Sequence, residues 1–223
     1  MSSHISRIDR FAEIVIDSPL SGHSHTRWCA NWFQFGFPYP VPSSIESLPV
    51  LDKLRVLHAP SSGAYKGTNL IREAVQRAQA AGIPIHFEEL SNQPNHEVIK
   101  AIKRCHVIID ELYSDTGLAG LGVEAASQGR IVVVGGEQWD QVEAWMGQDP
   151  SFPSIRVRPD QIEETLYNLW NHREALPELA AAHHEFMVKH WDAKVVAARL
   201  VSWVTDGVPQ LARFLPAELG IDA

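Results

Sequence analysis

Cysteine is almost missing from this sequence. Cys29 and Cys105 are the only two in 223 residues, which excludes a disulfide framework and any cysteine-based zinc finger and points to a cytoplasmic compartment. No run of 18 apolar residues occurs, so no transmembrane segment is expected. The opening residues lead into Arg7, Asp9 and Arg10 rather than an apolar stretch, so no secretory signal is read there. Positive charge is also scarce: 19 Lys and Arg face 27 Asp and Glu, a net charge of −8. A chain this acidic makes a poor general binder of nucleic-acid backbone, and no nucleic-acid partner is expected. With 45% hydrophobic and 21% charged residues, disorder as the main state is excluded too.

What the sequence does have is alternation. Between residues 54 and 157 short apolar runs take turns with helical patterns. Arg55-Val56-Leu57-His58-Ala59 reads as a strand stopped by Pro60, and residues 68–81 carry Leu70, Ile71, Ala74, Val75 and Ala78 at helical spacing before Gly82. Residues 83–87 give a second strand, 96–104 a short helix, and 105–109 a third strand, nearly all apolar as in a parallel sheet covered on both faces. A helix over 118–127, a strand over 131–134 and a weaker one over 155–157 complete the pattern. It predicts an α/β fold, a doubly wound parallel (Rossmann-like) sheet whose ligand edge lies at the strands' carboxyl ends.

Beyond Pro159 the pattern is helical. Ile162, Leu166 and Leu169 line one face, Leu179, Phe186 and Met187 another, and Val196, Leu200 and Val204 a third, read as C-terminal helices packing over the sheet. The chain is thereby divided into an N-terminal segment or linker, 1–50, a Rossmann-like domain, 51–206, and a C-terminal tail, 207–223, expected as a short helix with a loose end. In the first segment residues 12–17 suit one isolated strand. Trp28, Trp32, Phe33, Phe35, Phe37 and Tyr39 then crowd together ahead of Pro38, Pro40 and Pro42. These aromatics suit either a plug over the sheet or a partner surface.

Two loops at the expected ligand edge carry the chemistry. Residues 58–68 run from a strand into a helix with Ser61, Ser62, Gly63 and Gly67 as small residues and Lys66 as a full positive charge, which suits a phosphate or diphosphate. A turn of small residues with a solvated lysine fits the same composition. The loop matches neither a Walker motif nor GxGxxG. Residues 112–125 hold Gly117, Gly120 and Gly122 ahead of Glu124, a carboxylate in an apolar helical stretch that needs donors: ribose hydroxyls, a lysine or backbone amides. Asp110-Glu111 form an acidic pair that either orients a substrate hydroxyl or lies in solvent, and His58 either reaches a ligand or packs in the core. His23-x-His25 and His183-His184 lack a completing carboxylate or cysteine spacing, so no metal and no cofactor are expected.

Together these stretches resemble the nucleotide-sugar-binding half of GT-B glycosyltransferases of the "glycosyl transferases group 1" type, over residues 54–204, about two thirds of the chain. His58-Ala-Pro-Ser-Ser with Lys66-Gly-Thr is similar to that family's first donor-domain loop, and Val123-Glu124-Ala-Ala-Ser-Gln-Gly129-Arg-Ile-Val-Val to its "EA…G.PVV" segment. Phe186-Met-Val-Lys-His-Trp-Asp followed by Ala193-Lys-Val-Val is similar to its terminal helices. The resemblance implies a retaining sugar transfer from a UDP- or GDP-sugar. Lys66, with Ser61 and Ser62, would meet the donor diphosphate. Thr116, Gly117, Leu118, Gly120 and Leu121 would hold the distal phosphate and sugar, and Glu124 the ribose. Two departures stand out: Ser61 and Gly63 fall where an arginine commonly shares the diphosphate, and Thr116 falls where the first of two glutamates is expected. A full acceptor domain does not fit into the first 50 residues, which implies a separate acceptor-domain subunit or a homodimer, or else a donor-domain homologue kept for binding or assembly.

Overall fold

The structure, a computed structural model, describes residues 3–19, 25–61, 63–114, 116–137, 139–146 and 152–216. The chain forms two compact units, one of Met1–Pro40, Asp140–Asp149 and His190–Ala223, the other of Val41–Trp139 and Pro150–Lys189.

The first unit begins with α1 (Ser3–Phe11), β1 (Ile16–Asp17), β2 (Cys29–Asn31) and the single turn α2 (Trp32–Phe35). The isolated strand expected over 12–17 is real only in its last two residues, which pair parallel with β2. Asn31 starts α2 by accepting a hydrogen bond from the Phe33 N–H at 2.9 Å, the usual role of an Asn N-cap. His25 stands beside Asp17 and Cys29, neighbours that the spacing of the sequence did not suggest.

The second unit holds the alternating pattern: β3 (Leu54–His58), α3 (Gly63–Lys66), α4 (Thr68–Ala80), β4 (Ile85–Glu89), α5 (Asn95–Lys103), β5 (Val107–Ile109), α6 (Gly120–Ser127) and β6 (Ile131–Gly135). After α7 (Trp139–Met146) come β7 (Ile155–Val157), α8 (Ile162–Asn171) and α9 (Leu176–Phe186). All five strands are parallel, in the order β4-β3-β5-β6-β7. Every residue of β5 and β6 is buried, which explains their unbroken Val and Ile runs. Alternate strand residues such as Val56, Ile109 and Val133 share one core with Ile71 and Val75 of α4 and Ile162 and Leu166 of α8. Each such aliphatic side chain contributes about 1.5–3 kcal/mol by leaving water. The doubly wound α/β reading of the sequence therefore holds, and α8 and α9 pack where the first two apolar faces suggested.

The strand order reverses between β3 and β5. The chain leaves β3 to build β4 on one side and leaves β5 to build β6 on the other, the switch point at whose carboxyl edge open α/β sheets of this kind form a binding crevice.

The last segments return to the first unit. Helix α10 (Ala193–Thr205) buries Val196 and Trp203, while Leu200 and Val204 are 41% and 56% exposed. The face expected from Val196, Leu200 and Val204 is thus rotated in reality toward Trp203. Where a short helix was expected, residues 210–214 form a 3-10 turn and β8 (Arg213–Phe214), which pairs antiparallel with β2; the end of the tail, residues 217–223, lies outside the described residues. Of the crowded aromatics Phe33 is buried, Trp28, Trp32, Phe35 and Tyr39 are half-buried, and Phe37 is exposed. Trp32 meets Trp191 at 5.6 Å between ring centroids and Phe35 meets Trp203 at 5.3 Å.

Candidate functional site

The loops after β3 and β5 are joined beneath the crevice. His58, at the end of β3, is wholly buried, with Nδ1 2.7 Å from the Ile109 carbonyl and Nε2 2.8 Å from Thr68 Oγ1. Burial holds its pKa below the ordinary histidine value. Of the two roles open to it from sequence, it takes the packed one, tying β3, β5 and α4 together. Gly67 follows Lys66 with φ of +72°, a left-handed turn, and Leu112 lies 2.9 Å from where a Cβ would be. The Leu112 N–H donates to the Lys66 carbonyl at 3.2 Å, which brings Lys66 to the end of β5.

There the Lys66 ammonium sits 2.8 Å from Asp110 Oδ1 and 2.6 Å from Glu111 Oε2. Asp110 is fully buried and its second oxygen accepts the Gly122 N–H at 2.9 Å, so it caps the first turn of α6 from another loop. The acidic pair is therefore not a solvated one: the buried carboxylate requires a cation, and Lys66 is that cation. Burial lowers the Lys66 pKa, but Asp110 and then Glu111 outweigh it and leave it above the ordinary lysine value. Burial pushes Asp110 up, against the pull of Lys66 and the Gly122 N–H. The two partners move the same way because Asp110 has lost its water completely while Lys66 keeps a 16% exposed side chain.

The loop after β5 is clasped to β6. The Gly135 N–H donates to the Glu111 carbonyl at 2.7 Å and the Ser114 N–H to the Gly135 carbonyl at 3.0 Å. A Cβ on Gly135 would meet the Leu112 backbone at 2.6 Å. Thr116 turns inward on the loop, its N–H donating to Ser114 Oγ at 3.2 Å and its hydroxyl 3.0 Å from the same atom. The Gly117 carbonyl accepts from Ser154 Oγ at 2.7 Å, and Leu118 is buried. Gly120 and Leu121 open α6, and no acceptor among the described residues reaches either N–H. Glu124, one turn on and half-buried, accepts from Asn95 Nδ2 at 2.8 Å. Burial raises its pKa, Asn95 opposes that, and the charge of Asp110 adds to it.

Lys66 and Glu124 thus lie around one buried aspartate. Ser61 is exposed at the end of β3's loop, and Ser62 lies outside the described residues. Sequence reasoning missed Asn95 as the donor to Glu124 and Asp110 as the hub. The signal for Asp110 was its place directly after a wholly apolar strand, where a carboxylate needs a partner. Among the described residues the site offers one ammonium and two helix-start N–H groups against Asp110, Glu111 and Glu124.

No protein-family model and no curated protein matches the sequence. Solved structures do. S. aureus TarM matches with a TM-score of 0.54 at 11% identity over 79% of this chain and 39% of that one. A variant of it in complex with fondaparinux, alpha-GlcNAc-glycerol and UDP matches with 0.55 at 10% identity over the same shares. Anabaena HepE in complex with UDP and glucose matches with 0.49 at 9% identity, over 69% of this chain and 48% of that one. The chain spans less than half the length of these proteins. It has a GT-B glycosyltransferase-like fold, as the sequence resemblance implied. No helix among the described residues is long and apolar enough to cross a membrane.

Proposed function

We propose that the second unit binds a nucleotide-diphosphate sugar, a UDP- or GDP-sugar, at the crevice between the loops after β3 and β5, as the donor-binding half of a cytoplasmic glycosyltransferase. The observation that carries this reading is the conjunction of a held lysine, Lys66, with the open first turn of α6 at the point where the strand order reverses. The diphosphate takes the place of Glu111 beside Lys66, with Ser61 and Ser62 flanking it. Its distal phosphate and sugar meet the Gly120 and Leu121 N–H groups and the 116–118 loop. Glu124 exchanges its Asn95 contact for the ribose hydroxyls. In transfer, the bond from the anomeric carbon to the diphosphate breaks, a bond to an acceptor hydroxyl forms with retained configuration, and Lys66 stabilises the departing charge. The acceptor surface comes from a separate subunit or a second copy of the chain.

A second reading is favoured by the same cluster. Lys66 is already matched by two carboxylates, and Thr116 is spent on Ser114. A donor-domain homologue that binds or assembles without turning over would tolerate both. Thermal-shift titration with a panel of UDP- and GDP-sugars tests the shared premise. A rise in melting temperature that Lys66→Ala abolishes and Glu111→Gln enlarges supports donor binding, and no shift with any donor sinks the donor-binding reading. Release of nucleoside diphosphate from a bound donor, reduced by Glu124→Ala, selects the enzyme; binding with no release selects the assembly role.

A further inference from the structure

The first unit contains a second polar cluster, unconnected with sugar chemistry. Three residues from separate short segments converge there: Asp17 at the end of β1, His25 in the connection, and Cys29 at the start of β2. Their ligating atoms, an Asp17 carboxylate oxygen, a His25 ring nitrogen and Cys29 Sγ, all lie within 4.8 Å of one another.

The imidazole is held from behind. His25 Nδ1 is 2.6 Å from Asp9 Oδ1, whose other oxygen accepts the Thr26 N–H at 2.8 Å and the Thr26 hydroxyl at 2.9 Å. Asp9 therefore accepts a hydrogen bond from Nδ1–H and fixes the ring, which presents Nε2 to Asp17 Oδ2 across 3.6 Å. That separation is too long for a hydrogen bond but suits two ligands of one tetrahedral ion, whose bonds of roughly 2.0–2.3 Å put neighbouring ligand atoms roughly 3.3–3.8 Å apart. The Ser18 N–H donates to Asp17 Oδ1 at 2.8 Å, and Oδ2 is the oxygen nearer the ring. A carboxylate that orients a histidine from its far nitrogen is the usual second layer of a metal site.

Charge and ligand type point the same way. Among the described residues the cation beside the cluster, Arg27, is turned onto the carbonyls of Asp9, Ala12 and Glu13 at the end of α1. Asp9, Asp17 and a Cys29 thiolate against Arg27 leave two net negative charges, which one divalent cation balances. A mixed nitrogen, oxygen and sulfur set selects zinc over magnesium or calcium, which take oxygen alone.

We propose that Asp17, His25 and Cys29 bind one zinc ion, with Asp9 positioning His25. Three protein ligands leave a fourth position for water. The ion clips the end of β1, His25 and the start of β2 together, where strands of two and three residues supply few ladder bonds of their own.

The test uses the full chain stripped with a chelator and titrated with zinc in competition with a chromogenic indicator, with metal content read by mass spectrometry after dialysis. The expected result is one zinc per chain, lost in His25→Gln and Cys29→Ser, and a melting temperature raised by zinc in the parent only. Asp9→Asn keeps the stoichiometry but weakens affinity about 10–100-fold, and His172→Gln, at an exposed site, changes nothing. Cobalt in place of zinc gives a thiolate charge-transfer absorption in the parent chain, a readout that stands even where Cys29→Ser fails to fold. Zinc content far below one per chain, unchanged affinity in His25→Gln, or a cobalt spectrum without the thiolate band overturns the proposal.

Discussion

The two units of this chain become compact by opposite means. The second is built from neighbours in sequence: the strands of its parallel sheet alternate along the chain with helices, and its main core is aliphatic. The first gathers residues 16–17, 29–31 and 213–214 into one three-stranded sheet and fills its interior with Trp32, Phe35, Trp191 and Trp203. Strands this short are not stable by their own hydrogen bonds, so large aromatic surfaces do the holding. The difference teaches that periodicity reports a fold only where long elements carry it.

The sharpest way to break the comparison is to remove an aromatic. Trp203→Ala should cost about 3–5 kcal/mol, read by urea denaturation, because it empties the place shared with Ala30, Val208 and Ala212. A cost under 1 kcal/mol would mean that the short strands hold the unit without their aromatics.

Next in size is the charge cluster of the second unit. Lys66→Met should cost about 3 kcal/mol at neutral pH, since it strands the buried Asp110 with only the Gly122 N–H. With its folded pKa then raised further above the ordinary value of 3.8, Asp110 contributes stability that is present in acid and lost as pH rises through the raised value. The variant should accordingly regain ground on the parent as pH falls, and adding Asp110→Asn should restore much of the loss. In the parent, Lys66 has the raised pKa. Its contribution is full below 10.5 and disappears as pH climbs through the higher folded value, so Lys66→Met should flatten the alkaline end of a stability-against-pH curve.

A smaller effect compares the units directly. Burial pushes both thiols up to about 12, so neither Cys29 nor Cys105 should react with a disulfide reagent in the folded chain at pH 8. In low urea with a chelator present, Cys29 should be labelled before Cys105 if the short-strand unit opens first; equal rates would show the two units opening together. Smallest of all, Leu200→Ala and Val204→Ser on α10 should each shift stability by no more than about 0.5 kcal/mol, since both side chains face solvent.

That last pair marks the limit of what the sequence shows. Helix α10 offers two apolar stripes at helical spacing, 196/200/204 and 196/203, and only the partner surface decides which is buried. The parallel sheet was legible because β5 and β6 are buried on both faces and therefore uninterrupted, whereas β8 was not, since two residues carry no period and their partner lies far back in the chain. Within the site, Lys66 and Glu124 stood out as charges among small and apolar residues. Their partners did not, because contacts across loops leave no local pattern: Asp110 looked like half of an acidic pair and Asn95 like loop filler. Arg130 gives the same lesson. It is 1% exposed and donates to the carbonyls of Glu46, Ile102 and Lys103, an interior joint that nothing in its neighbourhood announces.

The clasp between residues 111–114 and Gly135 sets how the crevice meets a guest. Each hydrogen bond there runs between main chains, and no side chain larger than hydrogen fits at 135. On the proposed donor reading, this main-chain clasp leaves the protein little freedom to surrender when the crevice fills. The loss of disorder falls on the incoming molecule, and a stiffened ligand should gain more here than a stiffened protein.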